Sequence, residues 1–336
     1  MIIDFHAHAL DEQFIHELSN KPVAGLRAEH GADGNWVIRR QGDDRKSSID
    51  PNLHDLPKRL ESLRKRDVGL QLFAPPPFML AWPGGATSVE LSRALNDASA
   101  RIARQSGGCM EMLAVLALGE PEAATQELQR AVNEHGVRGV MMPSSAGGRP
   151  LDGPEFASLF ALIEKLGLVI FMHPASAVTS ERFGMYGVHV LVGWPFETTL
   201  AVTRMIFEGL FERHPRLKLV LAHGGGNLVF LRGRLDSAYQ ATGWEADPYF
   251  RKNITRRPSE YLDRLYYDTC ALSEESNRFV IETMGAGRVV FGSDYPFDIG
   301  DPEGRRTVPV VDALPEAQRE AIYHGNALRL LEVAGR

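Results

Sequence analysis

The chain opens on Met1-Ile2-Ile3-Asp4-Phe5-His6-Ala7-His8, and the reading of that stretch decides the rest. Ile2 to Phe5 has the length and apolar character of a short buried strand. Two histidines, one residue apart, follow it. Side chains two apart in extended backbone share a face, so His6 and His8 project together from the strand's C-terminal end. Neutral imidazole is the commonest protein ligand for divalent metals, and two side by side can chelate one ion. Two ordinary histidines near a terminus are the competing reading, because H-x-H alone is a weak motif. What stands at the ends of the other strands decides between them.

Working outward, the region from Asp11 to Pro51 is polar and contains glycines, with a short alternation at Asn35-Trp36-Val37-Ile38-Arg39 and a charged turn around Arg45. It reads as a small insertion, a hairpin, since the alternation is too short for a separate domain. From Leu53 a regular order sets in. A helix over Leu56, Leu60, Leu63 and Val68 precedes the strand Leu70 to Phe73. Helix and strand then alternate: helix from Val89 to Gln105, strand Met112 to Leu118, helix Pro121 to Asn133, strand Val137 to Met142. Next come helix Glu155 to Lys165, strand Leu168 to Met172, helix Thr198 to Glu212 and strand Leu217 to Ala222. The order closes with helix Asn227 to Gln240, strand Leu265 to Thr269, helix Glu274 to Met284, strand Arg288 to Phe291 and helix Pro315 to Leu331.

Short apolar strands, each followed by a helix, are what a parallel sheet buried on both faces requires. With the opening strand the count is eight, which predicts an α/β chain of the (β/α)8 TIM-barrel type spanning 1–336 as one domain, with the insertion at about 11–51. A doubly wound sheet usually stops at five or six strands, and no G-x-G-x-x-G follows an early strand here.

Barrel active sites sit at the C-terminal strand ends. His6 and His8 end the first strand, His173 the fifth, His223 the sixth, and Asp294 follows Gly292-Ser293 after the eighth. One histidine after a strand is ordinarily structural; ionisable residues at four matched ends point into one mouth. His6, His8, His173 and Asp294 offer three nitrogens and an oxygen, a set suited to Zn²⁺ and tolerable for Mn²⁺, Fe²⁺ or Co²⁺. His223 beside them is the candidate general acid or base. Helix capping or support of a ligand is the plainer role for Asp294, but Gly292 before it and Pro296 after it favour the metal. Gly224-Gly225-Gly226 serve either as an anion-binding backbone or as a simple turn. The other histidines, His16, His30, His54, His135, His189, His214 and His324, fall in helices or loops and read as structural or solvated.

Composition narrows the partners. Hydrophobic residues make up 44% and charged residues 24%, ordinary for a globular chain, and the net charge of −6 argues against nucleic acid. Cys109 and Cys270 cannot form a disulfide framework and suit free thiols in a reducing compartment. The first residues lack a basic and apolar leader, and no apolar stretch approaches the roughly 20 residues that span a bilayer, so a cytoplasmic location is expected.

The arrangement resembles the amidohydrolase superfamily over essentially the whole chain, and within it the aminocarboxymuconate-semialdehyde decarboxylase family. The stretches that carry the likeness are Ile3 to His8, His173-Pro174, Phe207 to Arg213 and His223 to Gly226. Gly233-Arg234-Leu235-Asp236, Arg257 to Tyr261 and Gly292 to Phe297 complete it. The resemblance implies a metal-dependent, non-oxidative decarboxylase of a small unsaturated or aromatic carboxylic acid, dimeric and often zinc-bound. It implies His6, His8, His173 and Asp294 as ligands and His223 as the proton-transfer residue. Arg234 would reach the neighbouring subunit's site and grip a substrate carboxylate, which suits a guanidinium fork. Arg45 stands nearest to the family's second substrate arginine, and Trp194 and Phe297 would wall the pocket. Two-metal members of the superfamily carry a lysine at the end of strand four; Gly139 to Ser144 has none, which implies one metal. The loop Ala175 to Ser180 is small and polar, which leaves the substrate open. A one-metal hydrolase of a lactone, amide or ester, a hydratase, and a metal-stabilised barrel without activity are the alternatives.

Overall fold

The structure, a computed structural model, describes residues 1–40, 46–80, 85–175, 183, 185–241 and 248–332. Its first strand is β1 (Ile2–Asp4), and three more, β2 (Leu26–His30), β3 (Trp36–Arg40) and β4 (Lys46–Ser48), pair antiparallel within the insertion. Then come β5 (Val68–Phe73), β6 (Met110–Met112), β7 (Ala114–Val115), β8 (Gly139–Met142), β9 (Val169–Met172), β10 (Lys218–Leu221), β11 (Tyr266–Asp268) and β12 (Val289–Val290). Outside the insertion every ladder is parallel, in the orders β1-β5-β6 and β12-β11-β10-β9-β8-β7.

Backbone hydrogen bonds join the two ladders into a ring. β6 and β7 are one run divided only at Leu113, whose N–H donates to Phe73 at 2.8 Å. At the other seam Phe5 N–H donates to Phe291 and Asp294 N–H to His6, both at 2.8 Å, and Ala7 bridges Tyr295. Counting β6 and β7 as one strand, eight parallel strands close the barrel, as expected. Its strands are largely apolar because both faces are covered. Val169, Phe171, Val220 and Ala222 fill the interior cluster, while the alternate Ile170, Met172, Leu219 and Leu221 meet the surrounding helices.

Four local expectations change. The insertion is more than a hairpin: a helix, Glu12–Asn20, precedes its sheet, capped by Asp11, which accepts from Phe14 N–H. Phe14, Ile15 and Leu18 lie on one face of that helix and are buried with the barrel interior. The helix expected over 198–212 runs instead as Trp194–Phe207 and Leu210–Arg213. Gly209 breaks it at a φ of +74°, where a Cβ would stand 2.4 Å from the Asn253 carbonyl. The last helix likewise divides into Glu316–Glu320, a π-helical turn at Ala321–Gly325 and Asn326–Leu331. His30 lies in β2, stacked on Trp36, away from the strand ends of the barrel. Among the described residues no helix is long and apolar enough to cross a membrane.

Candidate metal centre

The barrel brings His6, His8, His173 and Asp294 together. All four are buried, and one ligand atom from each lies within 4.8 Å of the other three. His6 and His8 leave β1 on one face with ring centroids 5.4 Å apart, and His173 follows β9 at 5.0 and 5.1 Å from them. Asp294 takes a φ of +57°, uncommon for a residue with a Cβ, and its amide bond to His6 holds it there. Gly292 permits the approach: a Cβ on it would stand 2.9 Å from that of His6.

The hydrogen bonds decide which nitrogen of each ring faces the centre. Nδ1 of His173 lies 2.8 Å from the Pro174 carbonyl and Nδ1 of His8 3.4 Å from that of Pro75. A carbonyl only accepts, so both rings carry their hydrogen on Nδ1. His6 Nδ1 lies 2.7 Å from Asp268 Oδ2 and donates to that carboxylate. Among the described residues, Nε2 of all three rings and Oδ1 of Asp294 are buried without a hydrogen-bond partner, Oδ1 standing 3.2 Å from Nε2 of His6 and of His8. Leaving one such atom unpaired costs about 1–3 kcal/mol, so four converging ones ask for a shared partner. A divalent cation satisfies all of them at once, and three imidazoles with one carboxylate suit zinc or manganese. The residues present fit the metal.

Electrostatics prepare the same states. Burial, reinforced by His223, His6 and His8, holds the His173 imidazole well below its ordinary range, and burial also lowers His8. Burial works to raise Asp294, yet the charge of His6 and the other neighbouring imidazoles hold it well below the carboxylate range. Burial lowers His6 as well, but there Asp294 and Asp268 prevail and raise it well above the usual imidazole value. Neutral rings at His8 and His173 facing an ionised carboxylate are the forms in which ligands accept a cation.

His223 follows β10 at a φ of +56°. Its largely buried ring lies 4.8 Å from His173 and 5.3 Å from His6, with Nε2 3.8 Å from Asp294 Oδ2 and Nδ1 unpartnered among the described residues. Trp194 lies parallel to it at 6.2 Å and edge-on to His173 at 5.7 Å, and Phe297 tilts against His8 at 5.3 Å. Both aromatic residues therefore reach the centre. Arg234 is exposed on the helix Leu228–Gln240, while Arg45 and the loop positions 176–180 lie outside the described residues. The glycines after His223 serve the turn and not an anion. Their amides are spent inside the chain, on Asp268, Ala222 and His223. A Cβ at Gly225 or Gly226 would meet Tyr267 at 2.6 Å or the Pro195 carbonyl at 2.3 Å.

Sequence reading missed the carboxylates behind the centre. Asp268 ends β11, the same signal that marked the histidines, and grips His6. Asp4 is buried inside the apolar opening run and accepts from His6 N–H, Ser293 N–H, Ser293 Oγ and Gln71 Nε2. A second cluster, Asp97, Glu134 and His135, is already neutralised by Arg130 at 2.7–2.8 Å. A cavity of about 440 Å³ lined by Leu10, Leu53, His54 and Arg59 lies beyond His8 and does not include the centre.

Comparison with known proteins follows this geometry. The sequence model of the amidohydrolase family matches residues 3–333. The chain belongs to that family. It is 31% identical over 341 residues to a 2-amino-3-carboxymuconate-6-semialdehyde decarboxylase of Dictyostelium discoideum, covering 98% of this chain and 91% of that protein. Its fold matches the crystal structure of 5-carboxyvanillate decarboxylase from Sphingomonas paucimobilis with a TM-score of 0.79 and 25% identity, over 99% of both chains. A 5-carboxyvanillate decarboxylase from Novosphingobium aromaticivorans, with bound manganese and a nitrobenzoic acid, superposes with a TM-score of 0.81 at 20% identity over 98% of this chain and 97% of that one.

Proposed function

We propose that this amidohydrolase-family protein is a metal-dependent, non-oxidative decarboxylase of a small unsaturated or aromatic carboxylic acid. His6, His8, His173 and Asp294 hold one divalent cation, and His223 moves the proton. The observation that carries the reading is the convergence of four buried, unpartnered ligand atoms with a free histidine beside them, at the mouth of a barrel shared with decarboxylases. The donor set favours Zn²⁺, and the manganese in the Novosphingobium enzyme makes Mn²⁺ the rival that metal analysis must separate.

When bound, the cation supplies Lewis acidity, orienting the substrate's carboxylate and neighbouring oxygen or nitrogen and stabilising negative charge that develops there. Trp194 and Phe297 form the apolar walls that hold a flat conjugated acid and exclude water. His223, with Nε2 toward Asp294, delivers a proton to the carbon that bears the carboxylate. The bond from that carbon to the carboxylate then breaks, its electron pair returns to the conjugated system, and CO₂ leaves. A run without lysine or glutamate from Gly139 to Ser144, at the end of β8, supports a single cation.

Arg234 makes no hydrogen bond or ion pair among the described residues, and Phe230, one turn before it, is 78% exposed. Such an apolar, cationic face suits a homodimer in which Arg234 holds a carboxylate in the partner's site. The two free cysteines support the cytoplasmic expectation. The test is to load the protein with Zn²⁺ or Mn²⁺ and offer a panel of unsaturated and aromatic acids. One CO₂ per substrate consumed is expected. Acid freed from an ester, lactone or amide without CO₂ would make it a hydrolase, and water added across a double bond a hydratase.

A further inference from the structure

We infer that Asp268 is a positioning residue that sets, with one carboxylate, both the ligand tautomer of His6 and the turn that carries His223. This rests on the proposed roles of those two histidines. Asp268 is fully buried at the end of β11, between the opening strand and the turn after β10. Its Oδ2 accepts from His6 Nδ1 at 2.7 Å, which keeps hydrogen on Nδ1 and leaves Nε2 free for a cation. Its Oδ1 accepts from Gly224 N–H at 2.8 Å and Cys270 N–H at 3.1 Å.

The second pair of bonds matters because His223 and Gly224 both hold left-handed backbone, at φ of +56° and +62°. That conformation is unfavourable for a residue with a Cβ, so a neighbour must hold it at His223. The Gly224 amide bond does so directly after His223. Every group facing Asp268 here is a donor, and only an ionised carboxylate accepts on both sides.

An isosteric amide cannot do the same. If the side-chain nitrogen introduced by Asp268→Asn faces His6, the ring is forced to carry hydrogen on Nε2, which removes the ligand nitrogen. If that nitrogen faces Gly224 instead, two donors oppose and release the His223 turn. Either orientation damages one half of the site.

Zinc affinity of demetallated Asp268→Asn, by competition with a chromogenic chelator, should fall about 10–100-fold against wild type. The variant saturated with metal should show a lower kcat and a shifted limb in its pH profile, with KM close to wild type. Wild-type affinity together with a wild-type pH profile would overturn the role of Asp268 and leave the metal reading standing. A wild-type protein that takes up no metal would overturn both. Should the variant fail to fold, the wild type decides through NMR of the zinc-loaded, ¹⁵N-histidine-labelled protein. A slowly exchanging His6 Nδ1–H is expected; hydrogen on Nε2 with metal at Nδ1 overturns the proposal.

Discussion

His223 differs from the other histidines of the centre in a way that fits the proton-carrying role proposed for it. His6, His8 and His173 each spend Nδ1 on a fixed acceptor and are fully buried, whereas the His223 side chain is 12% exposed and its Nδ1 has no partner among the described residues. A ligand must be held; a proton carrier must reach solvent or substrate. His223→Ala should therefore lower kcat by about 10²–10⁴-fold while metal content per chain, measured by mass spectrometry of the ions, stays at the wild-type level. Activity near wild type would remove His223 from the chemistry. The double change His6→Ala with His8→Ala should do the reverse and empty the centre. Full occupancy in that variant would dismiss the opening pair as ligands.

At the scale of elements, the helix Leu56–Lys65 reaches the strand end through Arg59, which is buried behind it. Its guanidinium donates to the His8 carbonyl, to Asn52 at 3.2 Å and to Gln71 Oε1 at 2.9 Å, and lies over the Tyr295 ring at 4.6 Å. Burial draws its pKa down to about 10. Arg59→Met should cost about 2–4 kcal/mol in urea unfolding, because three acceptors, the His8 carbonyl and Gln71 Oε1 among them buried, lose their donor. No loss of stability would show that water replaces the guanidinium. A surface tie behaves differently. Glu212 accepts from the Thr255 hydroxyl and amide and from the Tyr261 hydroxyl, and these bonds hold its carboxyl at about 2. A depressed carboxyl stabilises the fold above its unfolded value of about 4.3, and that contribution is lost as pH falls toward the folded value. Glu212→Gln should flatten the decline in urea midpoint between about pH 5 and about pH 3, modestly, because the group is exposed. An unchanged slope would rule out this source of acid sensitivity.

For the whole molecule, the seam between first and last strands is what makes a site. Asp4 and Ser293, 289 positions apart, share a 2.6 Å hydrogen bond, and Asp294 joins the opening histidines only because the ring closes there. Completion of the site by a second copy has its own test. If Arg234 acts in trans, Arg234→Ala and His223→Ala subunits mixed after dissociation should recover about a quarter of wild-type activity, since half the dimers are mixed and each has one intact site. No recovery on mixing, from variants that exchange subunits, would confine Arg234 to its own chain.

Much of this was local in origin. The apolar runs in Val169–Met172 and from Leu219 to Ala222 mark strands covered on both faces, and alternation puts His6 and His8 on one side, so the barrel and its candidate ligands could be read residue by residue. The helix Glu12–Asn20 was readable too, from the Asp11 cap and the spacing of Phe14, Ile15 and Leu18, but polar neighbours masked it. Tertiary structure alone showed what each carboxylate faces. Asp4, Asp268 and Asp294 are the same side chain at comparable strand ends, and pattern cannot tell supporter from ligand. The groups opposite decide: Asp4 and Asp268 face N–H and O–H donors that saturate them, while Asp294 keeps an oxygen with no donor to bind. Such partners come from distant sequence, and only closure of the barrel brings them within hydrogen-bond reach.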